Sequence, residues 1–317
     1  MEERNEQWRS EKWRVAVLAG GTSAEREVSL ASGAAVEQAL KQAGHLPQIF
    51  DPASVKLEDV PWHDYSACFL ALHGGAGEDG RVQAVLDQWQ IPYTGSGPEA
   101  SRLAMSKAAA KQCFQAADVL TPAGFTLPAL CASDELEAAA WAVGFPLVVK
   151  PESQGSSLGV TKVERMADLP QAFAAACRWD ERVMLESFIA GRELTVTLLD
   201  DRPLPVLEIV SPRAIFDYQA KYASADTEYQ FPHDIWPATL RRIQNEAVIA
   251  AQSLGVRSLS RVDVLLDENN RAWVLEVNTI PGLTPRSLAP KAAQRAGMNL
   301  AALCDEMLRR VLVPAWC

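Results

Sequence analysis

The stretch Arg261-Val262-Asp263-Val264-Leu265-Leu266-Asp267-Glu268-Asn269-Asn270-Arg271-Ala272-Trp273-Val274-Leu275-Glu276-Val277-Asn278 decides how this chain is read. It consists of two apolar runs around an Asn-Asn pair, and asparagine tolerates the positive φ that a tight hairpin turn requires. A two-residue turn at Asn269-Asn270 sets Asp263 opposite Glu276 and Arg261 opposite Asn278. All four share one face, because side chains alternate along a strand. Carboxylates directly opposed at about 5 Å destabilise a sheet, and a divalent cation removes that conflict. Oxygen ligands from Asp, Glu and an Asn amide suit Mg²⁺, which keeps positions open for water and substrate phosphates. Arg261 is then placed to grip a phosphate or a developing oxyanion. The plain alternative is a solvated strand face; the apolar Val262, Val264, Leu266, Leu275 and Val277 argue against it. By itself the hairpin says metal and phosphate, not which reaction.

Upstream, Lys150-Pro151-Glu152-Ser153-Gln154-Gly155-Ser156-Ser157-Leu158-Gly159 puts a lysine at a strand end and follows it with small residues whose N–H groups can approach a phosphate. The loop is not a P-loop, since GxxxxGK[ST] is absent, and Gly20-Gly21-Thr22 lacks the GxGxxG spacing of a dinucleotide fold. In isolation it is a turn; the hairpin downstream gives it weight. At the N-terminus, a strand over 14–19 runs through Gly20-Gly21-Thr22-Ser23 into a helix with Val28, Ala31, Ala35 and Ala39 on one face. A second apolar run, 67–72, ends in His73-Gly74-Gly75, so a βαβ unit opens the chain. Thr22 and Glu25 have capping-box spacing. The other reading of Glu25 is that it faces the crevice at the strand ends and holds a substrate ammonium. His73 is read either as a core histidine or as a functional one at a strand's carboxyl end.

The organisation follows from these patterns. Residues 1–12 read as a frayed tail, 13–107 as an N-terminal α/β domain, 108–190 as a small α+β domain, and 191–317 as a third, the first boundary near Lys107 falling within one Ala-rich helix from about Pro98 to Ala117. The stretch 215–231 is polar and aromatic without a period and reads as a functional loop. The chain has 317 residues, 48% hydrophobic and 22% charged, which excludes disordered and low-complexity classes. A net charge of −10 disfavours a nucleic-acid partner. No apolar run is long enough for a membrane span and the charged first residues do not read as a signal peptide, so the expected location is the cytoplasm. The six cysteines are scattered without metal spacing and read as reduced and structural.

Taken together, these residues resemble the D-alanine:D-alanine ligases of the ATP-grasp superfamily, from Val15 to about Met307. The blocks that carry the resemblance are 20–29, Ala71-Leu72-His73-Gly74, Gly77-Glu78-Asp79-Gly80, 92–97, 155–159, Tyr218-Gln219-Ala220-Lys221-Tyr222, 261–264, and 276–279 with Pro281-Gly282-Leu283-Thr284. The resemblance implies a three-domain ATP-grasp fold that joins two D-alanines through a D-alanyl phosphate, giving ADP and phosphate, for peptidoglycan precursor synthesis. It implies that Lys107, Lys150 and Lys221 contact ATP phosphates, that Glu186 and its neighbours hold the adenine, and that Glu193 takes the ribose hydroxyls. Asp263, Glu276 and Asn278 would ligate two Mg²⁺, with Mn²⁺ as an alternative ion. Glu25 and His73 would bind the first D-alanine, and Ser287 and Leu288 the carboxylate of the second. Glu25, Ser156 and Tyr222 would form a hydrogen-bonded set, while Arg261 and the Gly282 N–H would stabilise the tetrahedral oxyanion. A homodimer and a closing loop over 215–231 are implied as well. Tyr222 points to an amine acceptor rather than D-lactate; D-serine as acceptor, or a non-catalytic ATP-binding module, are the competing readings. The chain departs from the family pattern at Ser106, Ser187, Ser260 and Ile280.

Overall fold

The computed structural model describes residues 11–211 and 227–313. The chain divides into two compact units, Met1–Pro98 with Ile280–Cys317, and Glu99–Thr279. These cuts differ from the sequence boundaries at 107 and 190, because the chain beyond the hairpin returns to the first unit.

In the first unit, β1 (Arg14–Leu18), β2 (Leu46–Phe50) and β3 (Ala67–Leu70) form a parallel sheet in the order β2-β1-β3. Val15, Ala16, Val17 and Leu18 have no exposed surface, nor do Ala67, Cys68 and Phe69. Such continuous burial is what a parallel strand covered on both faces requires, and it explains why these runs are apolar throughout rather than alternating. Helix α1 (Arg26–Gln42) buries Ser29, Ser32, Gly33, Val36, Ala39 and Leu40, the i, i+3, i+4 stripe of a helix packed on a sheet. Helix α2 (Arg81–Gln88) packs Val82 and Leu86 with Ala16, Leu18, Cys68 and Leu70 of the sheet.

The expected helix from Pro98 to Ala117 is two helices, α3 (Pro98–Met105) and α4 (Lys107–Ala116). The break is at Ser106, whose extended backbone makes it the N-cap of α4 and whose hydroxyl accepts from the Ala109 N–H at 3.2 Å. Ser106 also donates to Glu152 Oε1 at 2.5 Å, so one departure from the family pattern has a structural use in this chain. The next layer is an antiparallel sheet of β4 (Gly124–Pro128), β5 (Leu147–Pro151), β6 (Thr161–Val163) and β7 (Arg182–Ser187), in the order β4-β7-β5-β6. Helices α5 (Ser133–Val143) and α6 (Leu169–Ala176) cover one face, burying Leu136, Phe173, Leu147, Val149 and Leu185 in a core of their own. By the period of two, Val148, Lys150 and Glu186 point to the opposite face.

The remaining sheet runs β11-β10-β8-β12-β13 among the described residues, with β9 (Arg202–Pro203) paired to β8; the strands are β8 (Gly191–Leu199), β10 (Leu207–Val210), β11 (Glu228–Gln230), β12 (Leu259–Asp267) and β13 (Ala272–Asn278). Helix α7 (Pro237–Ser253) and α4 pack on its inner face, where Phe114, Ile243, Val196, Val262 and Val274 are fully buried. Truncating one such aromatic, Phe114→Ala, removes roughly 3–5 kcal/mol. The chain then returns to the first unit through α8 (Leu288–Arg295) and α9 (Leu300–Leu312), and α9 packs against α1. Ile280, a further departure from the family pattern, is 4% exposed within the first unit's core beside Leu72 and Val82.

The hairpin corrects one expectation and keeps another. The turn is one residue longer than the two-residue form: Leu266 pairs with Ala272, Leu265 with Trp273 and Val264 with Val274. Asp267 builds it, its Oδ1 accepting from the N–H groups of Asn269 and Arg271, and its Oδ2 from Arg271 Nε and Trp273 Nε1. A β-bulge then inserts Leu275 between Val274 and Glu276, and below it Asp263 faces Glu276 and Arg261 faces Asn278, as expected. The two one-residue irregularities cancel.

Candidate active site

A cavity of about 310 Å³ lies inside the second unit, between the open faces of its two sheets. Val148, Lys150 and Glu186 line it from the smaller sheet, Glu193, Asp263, Leu265 and Glu276 from the larger, and Lys107 from the start of α4. That size is in the range of small-molecule sites.

Its lysines are buried and held from behind. Lys107 Nζ donates to the Gln154 carbonyl at 2.7 Å, and burial pushes its pKa below the usual lysine range. Lys150 Nζ donates to Glu186 Oε1 at 2.8 Å. Glu186 is 3% exposed and has a second partner, Lys111, whose Nζ is 2.5 Å from Oε2. Burial works against the charge of Glu186, yet Lys150 and Lys111 outweigh it and hold its carboxyl below the ordinary range. Lys111 also donates to Thr121 Oγ1 and the Pro122 carbonyl, each at 2.8 Å, and burial brings its pKa down to about 8. The sequence reading missed Lys111. Its signal was available: Lys107 and Lys111 stand four apart and share one face of α4. Glu152, also buried, and Glu276 act on Lys107 as well, so the wall gathers three lysines balanced by interior carboxylates, donors of the kind that hold a polyphosphate.

Between Lys150 and β6 the loop is anchored by Ser153, whose N–H and hydroxyl both donate to Asp180 Oδ2 at 2.7 Å. Ser156 and Ser157 follow with φ of 52° and 54°. Consecutive left-handed serines are costly, and such strain concentrates at ligand-holding loops. Ser157 lines the cavity and Ser156 is buried.

At the hairpin base, Asp263 is 6% exposed and accepts from Thr195 Oγ1 at 2.8 Å. Arg261, expected to face a phosphate or oxyanion, forms a two-pronged pair with it, Nε to Oδ1 and Nη2 to Oδ2, both 2.8 Å. Among the described residues no three His, Cys, Asp or Glu side chains come together as a metal set. The donor set expected here has two carboxylates and an amide. Asp263 and Glu276 meet its first requirement, sharing a register position and lining one cavity, and Asn278 stands opposite Arg261 one rung pair below. Hard oxygen donors beside phosphate-seeking lysines fit a magnesium-type ion.

The first unit carries the other expected residues. Helix α1 begins at Arg26 with Glu25 as its N-cap residue and no side-chain cap, so the Thr22–Glu25 capping box is not formed. Instead the Glu25 carboxylate lies over Gly74: a Cβ there would be 2.7 Å from Glu25 Oε2, and Gly74 has φ of +68°. His73 is 5% exposed and hydrogen-bonded at both ring nitrogens, to Ser32 Oγ and the Ile280 carbonyl. Ser287 is the N-cap residue of α8, its hydroxyl turned to Thr284 Oγ1 at 2.8 Å, and Leu288 is the first residue of that helix. The free N–H groups of a helix start attract a carboxylate. Gly282 leaves room for this arrangement, since a Cβ on it would come within 2.8 Å of Ser287 Oγ. Lys221 and Tyr222 lie outside the described residues, as does most of the 215–231 segment.

Comparison with known proteins bears on this arrangement. The family model described as "D-ala D-ala ligase C-terminus" matches residues 125–309. A D-alanine–D-alanine ligase of Nitrosomonas europaea is 44% identical over 299 residues, covering 94% of this chain and 96% of the relative. Among solved structures, the Bacillus anthracis D-alanine–D-alanine ligase complexed with ATP superposes with a TM-score of 0.82 at 30% identity, over 95% of this chain and 97% of that one. The VanG D-Ala:D-Ser ligase of Enterococcus faecalis gives 0.82 at 27% identity, over 96% and 100%. On these grounds the chain, an α/β protein of the ATP-grasp ligase fold, belongs to the D-alanine–D-alanine ligase family.

Proposed function

We propose that this chain joins two D-alanines at the expense of ATP, forming D-alanyl-D-alanine for peptidoglycan precursors, as a homodimer in the cytoplasm, with 13–107, 108–190 and 191–317 as its working domains. The observation that carries the reading is the cavity of the second unit, walled by Lys107, Lys150 and Glu186 on one side, with Lys111 paired to Glu186, and by Asp263 and Glu276 on the other. A carboxylate is a poor acylating agent, so the γ-phosphoryl group of ATP first moves onto the first D-alanine, giving an acyl phosphate. Lys107, Lys150 and Lys221 hold the phosphates, Glu186 and its neighbours the adenine, and Glu193 the ribose. Asp263, Glu276 and Asn278 would hold two Mg²⁺, which supply charge neutralisation on the phosphates.

The first D-alanine is bound by Glu25 at its ammonium, with His73 beside it, and the second by Ser287 and the Leu288 N–H at its carboxylate. The second amine attacks the acyl phosphate, and the oxyanion is met by Arg261 and the Gly282 N–H. For Arg261 this requires leaving or sharing its bond to Asp263, which a cation on that carboxylate favours. Ser156 and Tyr222 complete a hydrogen-bonded set with Glu25, and the 215–231 segment excludes water from the acyl phosphate.

The test incubates purified protein with ATP, Mg²⁺ and D-alanine, reading phosphate and dipeptide together, with D-serine, D-lactate and L-alanine in parallel arms. One D-alanyl-D-alanine per phosphate supports the reading. A mixed product formed in preference would reassign the acceptor, and nucleotide binding without turnover would make the chain a non-catalytic module.

A further inference from the structure

The two bonds on the His73 ring have directions that can be derived. Nδ1 lies 3.0 Å from the Ile280 carbonyl, which can only accept, so Nδ1 carries the proton. Nε2 lies 2.9 Å from Ser32 Oγ, and the same hydroxyl accepts from the Leu283 N–H at 3.3 Å. With Nδ1 protonated, the Nε2 of a neutral ring can only accept, so in that tautomer the one hydroxyl proton goes to Nε2 while the Leu283 N–H takes a lone pair. The result is a directed chain: Leu283 N–H to Ser32 O–H to His73 Nε2, and His73 Nδ1–H to Ile280 O.

Both ends of this chain land on the same short loop. Ile280 and Leu283 flank Pro281-Gly282, so the two bonds clasp that dipeptide from either side. All the groups are interior, with Ser32 fully buried, His73 5%, Ile280 4% and Leu283 1% exposed. Ser32 stands on α1, the long helix beside the parallel sheet, so the loop is referred to a rigid element rather than to other loops.

We propose that Ser32 is a positioning residue for the ligation step, acting with His73 to fix the Pro281-Gly282 loop so that the Gly282 N–H is aimed at the developing oxyanion. The proposal rests on the ligase reading for its kinetic consequence, though not for the clasp itself. Neither residue has to touch the reacting atoms: an N–H donor is useful only where the oxyanion forms, and displacement by about 1 Å can cost a hundredfold in rate.

The test uses the full-length protein with ¹⁵N-labelled histidine, assigning the His73 ring by its disappearance in His73→Asn. Wild type is expected to show the neutral Nδ1–H tautomer. Ser32→Ala should shift that ring to mixed tautomers and lower kcat about ten- to hundredfold, leaving the dissociation constant for an ATP analogue within twofold. The double variant Ser32→Ala/His73→Asn should lose no more than the worse single variant, as members of one unit do. If Ser32→Ala fails to fold, Ser32→Cys, which fills the same space with a weaker donor, carries the same readouts. An unchanged tautomer, unchanged kcat, or losses that multiply in the double variant would overturn the proposal. Failure of the ligase reading looks different: wild type would make no dipeptide while the ring still reported the clasp.

Discussion

The two units hold their candidate site residues by different means. In Glu99–Thr279 the cavity wall is held by charge: Lys150 and Lys111 on Glu186, and Arg261 on Asp263. In the first unit the expected substrate residues His73 and Ser287 are held by neutral bonds, Ser23 to the His73 carbonyl, Ser32 to His73, and Ser287 to Thr284, while charge is kept to the loops beside them, in the Arg26–Asp51 pair and the Gly74 N–H bond to Glu78. The difference matches what each half-site would handle. A polyphosphate calls for strong positive charge that is kept in place while the ligand is absent. A small zwitterion calls for exact placement of a few donors, and charge beyond what it carries would cost selectivity. A further consequence is energetic, since breaking a buried ion pair leaves an uncompensated charge, whereas losing one neutral hydrogen bond costs about 1 kcal/mol.

Substitutions can break or sharpen this contrast, and the largest effect is expected at the hairpin base. Glu276→Ala should lower dipeptide formation about a thousandfold or more, since the charge neutralisation lost is worth several kcal/mol in the transition state. Rate against Mg²⁺ concentration checks it, and wild-type turnover in the variant would remove the hairpin from the chemistry. Next comes Lys111→Met, which leaves Glu186 with Lys150 alone. It should lower unfolding free energy by about 3 kcal/mol and raise the KM for ATP while sparing that for D-alanine, as read by urea unfolding and initial rates. Should the variant keep wild-type ATP affinity, the charged wall would be scaffolding only.

On the neutral side, Ser287→Ala is expected to raise the KM for D-alanine roughly tenfold, the worth of one hydrogen bond to a charged group. ATP affinity should not move; a loss of ATP binding would erase the contrast between the halves. The smallest effect is at the hairpin tip. Burial opposes the charge of Asp267, but bonds from Trp273 and Arg271 outweigh it and hold its pKa down to about 2. Because the folded value lies below the unfolded one, the stabilisation is present above the ordinary carboxylate value near 4 and is lost as pH falls through 2. Asp267→Asn should flatten this acid limb in denaturant midpoints measured from pH 5 to 2 and leave activity at neutral pH unchanged.

The same contrast explains what could be read from the amino-acid sequence. Carboxylates opposed across a hairpin announce themselves, because charge on an apolar strand is conspicuous, and the pairing of Asp263 with Glu276 is in the structure. The tip was misjudged: Asp267, a side chain, shapes the turn, and Leu275, an ordinary leucine, corrects the register. Nothing in a leucine's chemistry signals a bulge. Lys111 was passed over because one lysine in an Ala-rich helix looks solvated until a buried Glu186 is set beside it. The break at Ser106 depends on Glu152, which is distant in sequence and reaches the α4 start by tertiary contact alone. Ser32 was the least legible, since a serine on a helix face has no signature, and its partners come from two other segments. For Glu25 the spacing left a helix cap and a crevice-facing carboxylate both open, and Ser287 was singled out by the resemblance to a family alone.

The return of the chain after Thr279 also orders events during synthesis. Ile280 completes the core that Leu18, Leu70 and Leu72 begin, and α9 covers α1, so the first unit lacks part of its interior until the segment after Thr279 has been made. At ribosomal speeds of about 5–20 residues per second, the intervening segment occupies roughly ten to forty seconds. For that interval the opening sheet waits, apolar and unfinished, while the inserted unit has every residue it needs to fold. The segment made after the inserted unit is the piece that closes the first, so the early strands depend on residues more than two hundred positions away.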